Sequence, residues 1–461
     1  MKGHKPLIAF AIFFYLLPWI SAIPLGSAAT GWIQTYGGTN SDESGNSVIQ
    51  TNDGGYAIVG SIGEMFNASS YDALLVKTDA SGKMQWNQTY GGTESDSANS
   101  VVQTRDGGYA IAGTTGEWSA SGSSIWLVKT DASGKMQWNQ TYGGDHGYSV
   151  VQTSDGGYAI AGGRTIVKTD SLGNMQWNQT YESGSICSFV QTNDGGFALG
   201  GKRGRESVKH GVDFWLIKTD SSGNMQWNQT YYESLGDVAQ SVIQTMDGGY
   251  ALAGFAGSLP NNRHQDFMLV KTDPSGRMQW TKMYGGISYE LAYSVVQTTD
   301  GGYVMAGYAD LWEERENLVN RKDYNTNWVV KTDSSGNIQW SKTYGSPDKW
   351  ENAKSIIQTT DGGYAIVGEI SLQSGEAPHD FWLVKTDENG NVQSNQLTPS
   401  PGSTSTSNST PTPTPPASVT PSPSPTPGGS DGTGIPGFPY ESVILGIVMG
   451  AIILWALKLR H

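Results

Sequence analysis

Between residues 32 and 393 the chain is a succession of short apolar runs, broken by clusters of Gly, Asp, Ser and Thr, with none of the 3.6-residue periodicity of an amphipathic helix. The runs recur in one order. A Ser-apolar-apolar-Gln-Thr run leads into Asp-Gly-Gly followed by Tyr or Phe, the next run ends in Lys-Thr-Asp, a Gly turn follows, and a run containing Trp ends in Tyr. The Asp-Gly-Gly turns begin at Asp53, Asp106, Asp155, Asp194, Asp247, Asp300 and Asp361, at spacings of 53, 49, 39, 53, 53 and 61 residues. Each unit therefore predicts four short antiparallel strands, in the first unit a (47–51), b (56–60), c (73–77) and d (84–90).

Repeats of this length and strand count predict an all-β fold, a seven-bladed β-propeller over residues 30–396. The d strands carry Trp86, Trp138, Trp177, Trp227, Trp280 and Trp340, yet the seventh unit ends at Asn391-Val392-Gln393 with no Trp. An orphan d strand, Trp32 to Gly38, stands ahead of the first unit. It is expected to pair with the run Phe381 to Lys385 and to complete the last blade, which removes the open edges of a linear array.

Composition narrows the function more than the fold. With a formal net charge of -14 and no cluster of basic residues on the scale a polyanion requires, no nucleic-acid partner is expected. One cysteine, Cys187, leaves no intramolecular disulfide, so stability must come from core burial and ring closure. The ends carry targeting chemistry. Lys2 and Lys5 precede an apolar run closed by Gly26, Ser27, Ala28 and Ala29, the layout of a signal peptide over 1–29. Residues 397–434 are a Pro/Thr/Ser/Gly-rich stalk, and Val443 to Leu457 is an apolar run followed by Lys458 and Arg460.

Two resemblances add to this reading. Ile435-Pro436-Gly437-Phe438 ahead of the last apolar run resembles the PGF-CTERM sorting signal of archaeal surface proteins, which implies over 435–461 an anchor in the cell membrane, by a retained helix or by a lipid that replaces it. The turns Thr78-Asp79-Ala80-Ser81-Gly82 and Thr332-Asp333-Ser334-Ser335-Gly336, each followed by Trp, resemble the tryptophan-docking motif of PQQ-type propellers. That likeness, shared with secreted archaeal and bacterial propellers bearing DGGY repeats, implies indoles packed between neighbouring blades and says little about activity.

Candidate chemistry falls on the loops that the repeat leaves free. The a-to-b and c-to-d turns share one face and barely vary, whereas the b-to-c and d-to-a loops on the other face differ in every unit. There the sixth unit carries Trp312, Arg315 and Tyr324, and the fourth carries Arg203 and Arg205, the candidates for an interaction face. An acid recurs four residues before the Ser of strand a, at Glu43, Asp96, Asp145, Asp237, Glu290 and Glu351, with Gly184 the exception. Six carboxylates are expected to ring one mouth, each holding its own blade through hydrogen bonds; as oxygen ligands they would suit hard cations such as calcium, and no other cofactor is implied.

Sequons stand at Asn67, Asn87, Asn139, Asn178, Asn228 and Asn408, four of them as Asn-Gln-Thr directly after a d-strand Trp. No nucleophile elbow, phosphate loop or zinc motif is present. The expectation is a non-enzymatic surface protein that presents its variable loops to a protein or a glycan in adhesion or envelope scaffolding. The rival class is an extracellular carbohydrate-active enzyme, a glycosidase or lyase.

Overall fold

The computed structural model describes residues 31–392, apart from 39–40, 65–70, 117–122, 145, 205–210, 234–235, 258–263, 287–288, 312–323, 346–348 and 373–378. Within these, seven antiparallel four-stranded sheets follow one another, each taking its strands in sequence order, and no helix occurs among the described residues. The first blade is β2 (Ser41–Gln50), β3 (Tyr56–Glu64), β4 (Tyr71–Thr78) and β5 (Met84–Tyr90). The seventh is β26 (Lys349–Gln358), β27 (Tyr364–Leu372) and β28 (Asp380–Thr386), completed by β1 (Trp32–Tyr36). β1 pairs with β28, the strand expected for the orphan run, and the register runs from Trp32 opposite Lys385 to Tyr36 opposite Phe381. The protein is a closed seven-bladed β-propeller.

Each Asp-Gly-Gly turn is a small polar assembly. Asp53 Oδ1 accepts from the Thr51 hydroxyl (2.5 Å) and the Gly55 amide (3.1 Å), and Oδ2 accepts from Lys77 Nζ (2.8 Å). Gly54 has φ +83°, and a β-carbon on Gly55 would lie 2.1 Å from the Thr78 carbonyl oxygen, so both glycines are required. Lys77 is only 4% exposed; its ammonium also donates to the Thr78 carbonyl (2.7 Å) and to Gln85 Oε1 (3.2 Å), which satisfies all three protons. The Lys of every Lys-Thr-Asp pairs in this way with the Asp of its own turn in all seven blades. Burial opposes ionisation of Asp53, but the lysine, hydroxyl and amide outweigh it and hold the carboxyl down at about 2.

Two complete hydrogen-bonded rings, a set of axial serine contacts at five junctions and one ring of indoles join the blades. Trp32 meets Tyr56 of the next blade edge-on at 5.8 Å and covers Gly82, where a β-carbon would come within 2.4 Å of the indole. The six other d-strand tryptophans repeat the contact, and the tyrosine that ends each d run donates to the glycine carbonyl of the next blade, from Tyr36 to Gly82 (2.5 Å) through Tyr344 to Gly390 (2.9 Å). Each Gln of the Gln-Thr step binds its own turn through Nε2 and accepts through Oε1 a turn amide of the preceding blade. Asn52 thus donates to Gln103 (2.9 Å), and Thr360 donates to Gln50 (2.9 Å) to close the circle. Around the axis, Ser hydroxyls of innermost strands accept amides of the following blade, as Ser100 does from Val150 (3.2 Å) and Ser294 from Ile356 (3.2 Å).

Candidate functional site

The repeated polar groups of the turn face are engaged in these contacts, whereas the cavities lined by unrepeated residues lie on the opposite face and along the axis. The recurring acids do not present themselves at an open mouth. Strands a and b extend beyond the predicted limits, and Glu43, Asp96, Asp237, Glu290 and Glu351 are buried where one blade meets the next. Three of them cap the loop that leads into them: Gly92 N donates to Asp96 Oδ2 (2.9 Å), Glu233 N to Asp237 Oδ2 (2.8 Å), and Ser41 Oγ to Glu43 Oε1 (2.5 Å). Among the described residues no group of three or more His, Cys, Asp or Glu side chains is placed to hold a metal ion. Asp145 lies outside the described residues.

The preceding blade supplies a partner to these acids. Five residues before the buried Lys stand Asp72, Asp213, Asp266 and Asp380, ahead of Asp96, Asp237, Glu290 and Glu43 respectively. Where the acid is missing, at Gly184, the partner position is Gly163, and Glu351 receives Asn327 Nδ2 at 3.5 Å instead. The fifth and sixth blades show the consequence most clearly. Glu290 Oε2 and Asp266 Oδ1 are both buried with no hydrogen-bond partner, and burial pushes both carboxyls above their ordinary values. Burial first, and the Asp266 charge second, push Glu290 up to about 7.

A cleft that gathers several reactive groups lies over the closing seam. Its volume is about 570 Å³, and it is lined by Asp42, Glu43, Ser44, Ser61 and Tyr71 of the first blade, Ser95 and Ser97 beside the second, and Glu369 and His379 of the seventh. Asp42 is its centre. Oδ2 accepts from the Tyr71 hydroxyl (2.7 Å), and Oδ1 faces both the His379 backbone amide (2.9 Å) and its Nδ1 (2.7 Å). Burial opposes ionisation of Asp42, but these hydrogen bonds outweigh it and hold the carboxyl below its ordinary value, while burial and the same carboxylate push Tyr71 up to about 12. The Glu43 amide donates to the His379 carbonyl (2.7 Å), which ties the last b-to-c connection to the first blade. With Nδ1 donating to Asp42, the other ring nitrogen of His379 is oriented to accept or donate a proton.

A second lining is equally unrepeated. In six innermost strands the register slips by one residue just before the axial Ser, and the residues skipped are Asn46, Asn99, Cys187, Gln240, Tyr293 and Lys354. Together with Tyr148 they line an axial cavity of about 260 Å³. Lys354 Nζ lies 4.5 Å from the Tyr293 ring centroid and 3.7 Å from Glu369, and burial pushes the Cys187 thiol up to about 11.

Of the interaction candidates, Arg203 donates to Asn228 Oδ1 (3.2 Å) and lies over Trp215 at 5.9 Å, while Tyr324 opens β24 (Tyr324–Thr332). Trp312, Arg315 and Arg205 lie outside the described residues, as do Asn67 and Asn408. Asn87, Asn139 and Asn178 are exposed on outermost strands, and Asn228 is half-buried on another. Asp42, Tyr71, Glu369 and His379 escaped sequence reasoning because none sits at a repeated position; the Asp of the seam pairs does recur, and its spacing from Lys-Thr-Asp was a signal available to find it.

No family model matches this chain, and neither does any curated protein. Among solved structures it is similar to the WD40 β-propeller domain of Doa1, at 13% identity and a TM-score of 0.48, over 77% of this chain and 95% of that one. It is also similar to a protein of unknown function from Dyadobacter fermentans (9%, 0.46, over 78% and 98%) and to Sqt1 from Chaetomium thermophilum (11%, 0.44, over 76% and 99%). The propeller assignment itself rests on the seven sheets and their closure.

Proposed function

We propose that this protein is a non-enzymatic binding or scaffold protein of the cell surface, exported by residues 1–29, held off the membrane by the 397–434 stalk and the 435–461 anchor, and presenting its loop face to a glycan. The observation that carries the glycan reading is the cleft centred on Asp42. Three carboxylates, four serines, a tyrosine and a histidine supply acceptors and donors matched to a hydroxyl-rich ligand, beside an aromatic ring on which a sugar face can pack. The test is a glycan array probed with residues 30–396. Binding that disappears in Asp42→Asn and Tyr71→Ala at unchanged melting temperature supports the reading; binding indifferent to both substitutions overturns it.

One observation favours the rival reading, a carbohydrate-active enzyme. Asp42 hydrogen bonds the His379 ring in the cleft, the orienting contact that a general acid or base uses. Mass spectrometry of the array ligands after incubation separates the two, because binding leaves their masses unchanged and cleavage does not.

A further inference from the structure

The outermost strand of each blade exposes an unpaired backbone edge, and six of them also expose a large apolar residue: Met84, Met136, Met175, Met225, Met278 and Ile338, each 45–54% exposed. Such edges invite pairing with other chains unless something blocks them, and an edge lysine is one recognised device. Lysine is used on two blades only. Lys282 and Lys342 stand two residues after the Trp in the fifth and sixth blades, where the first four blades have Gln88, Gln140, Gln179 and Gln229. Those same four blades, and no others, carry Asn-Gln-Thr; the residue after the Trp is Thr281 or Ser341 in the lysine blades and Ile33 in the clasp. Edge lysine and sequon therefore exclude one another around the rim.

Local geometry places the asparagines where a substituent would cover the exposed edge. A one-residue slip opposite Lys77 and Thr78 inserts Gln85 and turns Met84 and Asn87 to the same side, with Asn87 Nδ2 3.7 Å from Met84 Sδ. Asn139 and Met136 (3.5 Å) and Asn228 and Met225 (3.4 Å) repeat the contact. In the second and fourth blades a buried tryptophan holds the carbonyl end: Trp126 Nε1 donates to Asn139 Oδ1 and Trp215 Nε1 to Asn228 Oδ1, both at 3.2 Å. The amide nitrogen is thus turned toward the methionine and away from the indole, and substitution at that nitrogen leaves the carbonyl contact intact.

We propose that Asn87, Asn139, Asn178 and Asn228 are N-glycosylated, so that glycans shield one continuous arc of four blades and lysines protect the next two. The modification forms a C–N bond between the carboxamide nitrogen and the anomeric carbon of a lipid-pyrophosphate-linked oligosaccharide; one amide proton passes to the transferase's base, and the lipid pyrophosphate leaves. The proposal rests on the export half of the functional reading and is independent of the ligand. Its test is the full chain produced in a secreting host with N-glycosylation, followed by peptide mass spectrometry. Cleavage after Lys and Arg puts each of the four asparagines on its own peptide, the first bounded by Lys83 and Arg105. Sugar on all four peptides, with loss of residues 1–29, is the expected result. An exported, trimmed chain with four bare asparagines overturns this proposal and leaves export standing, whereas a retained chain with its leader uncut overturns both. Edge protection has its own readout. The quadruple Asn→Gln variant is expected to self-associate in light scattering, and adding Gln88→Lys, Gln140→Lys, Gln179→Lys and Gln229→Lys is expected to restore a monodisperse species; a monodisperse quadruple variant removes the shielding role.

Discussion

The two faces of the wheel spend their polar groups in opposite ways. On the turn face every Asp, Lys and Gln of the repeat is matched, and the glutamine ring closes from Thr360 back to Gln50. On the loop face, carboxyls are buried against carboxyls, and the group that Asp42 gathers occurs once. The first pattern is what a repeat can duplicate, because each unit supplies what its neighbour lacks. The second pattern stores unfavourable electrostatics beside a cleft, which a scaffold tolerates only where the remainder of the ring is stable enough to offset it.

The largest expected effect comes from the strand that both faces share. Trp32 is 9% exposed and packs on the first blade, so Trp32→Ala is expected to cost about 3–5 kcal/mol. Calorimetry would show a sharp fall in melting temperature, and an unchanged value would mean that the ring does not depend on its clasp. Glu290 sharpens the contrast between faces. Its carboxyl is raised to about 7 in the folded chain against an ordinary value of 4.5, so the stability it contributes is complete below about 4.5 and is lost as pH rises through 7. Glu290→Gln should stabilise the protein at pH 8 by about 2–3 kcal/mol and leave pH 4 nearly unchanged, read by melting at both values.

The turn face titrates with the opposite sign. Asp53, Asp106, Asp155, Asp194 and Asp300 are held at about 2, so their contribution is present above roughly pH 4 and disappears as pH falls toward 2. Asp53→Asn leaves the buried Lys77 ammonium without its counter-ion. Because the Asp side chain is 55% exposed, the loss should be about 1–2 kcal/mol, below that of a fully enclosed pair. The smallest effect on stability belongs to the cleft: His379→Ala should shift stability by about 1 kcal/mol or less and act on ligand binding instead, which thermal melting and the glycan array would separate.

Much of this fold could be read from the chain. Asp-Gly-Gly, the d-strand Trp and the orphan Trp32 are repeated, so their roles followed from position, including the pairing of the orphan strand with the run Phe381 to Lys385. What escaped depended on pairs distant in sequence. Asp53 lies in the turn between β2 and β3 and Lys77 on β4 (Tyr71–Thr78), and a lysine at 4% exposure has no signature in composition. The carboxylates were located within their blades but misjudged in setting, since the extension of strand a carries Glu43 into a seam. Asp42, Tyr71 and His379 come from three segments that share no motif, and only folding brings Tyr71 and His379 each to 2.7 Å from Asp42.

The pairing of β1 with β28 also fixes when this molecule can exist. The five residues from Trp32 to Tyr36 leave the ribosome before any blade is complete, and their partner strand follows roughly 350 residues later; at typical elongation rates that is a wait of about 20–70 s. Six blades can assemble while synthesis continues, yet the wheel cannot lock until the final strand arrives. The nascent chain therefore carries an unsatisfied terminus throughout its production, and any chaperone that serves it has that ribbon to guard.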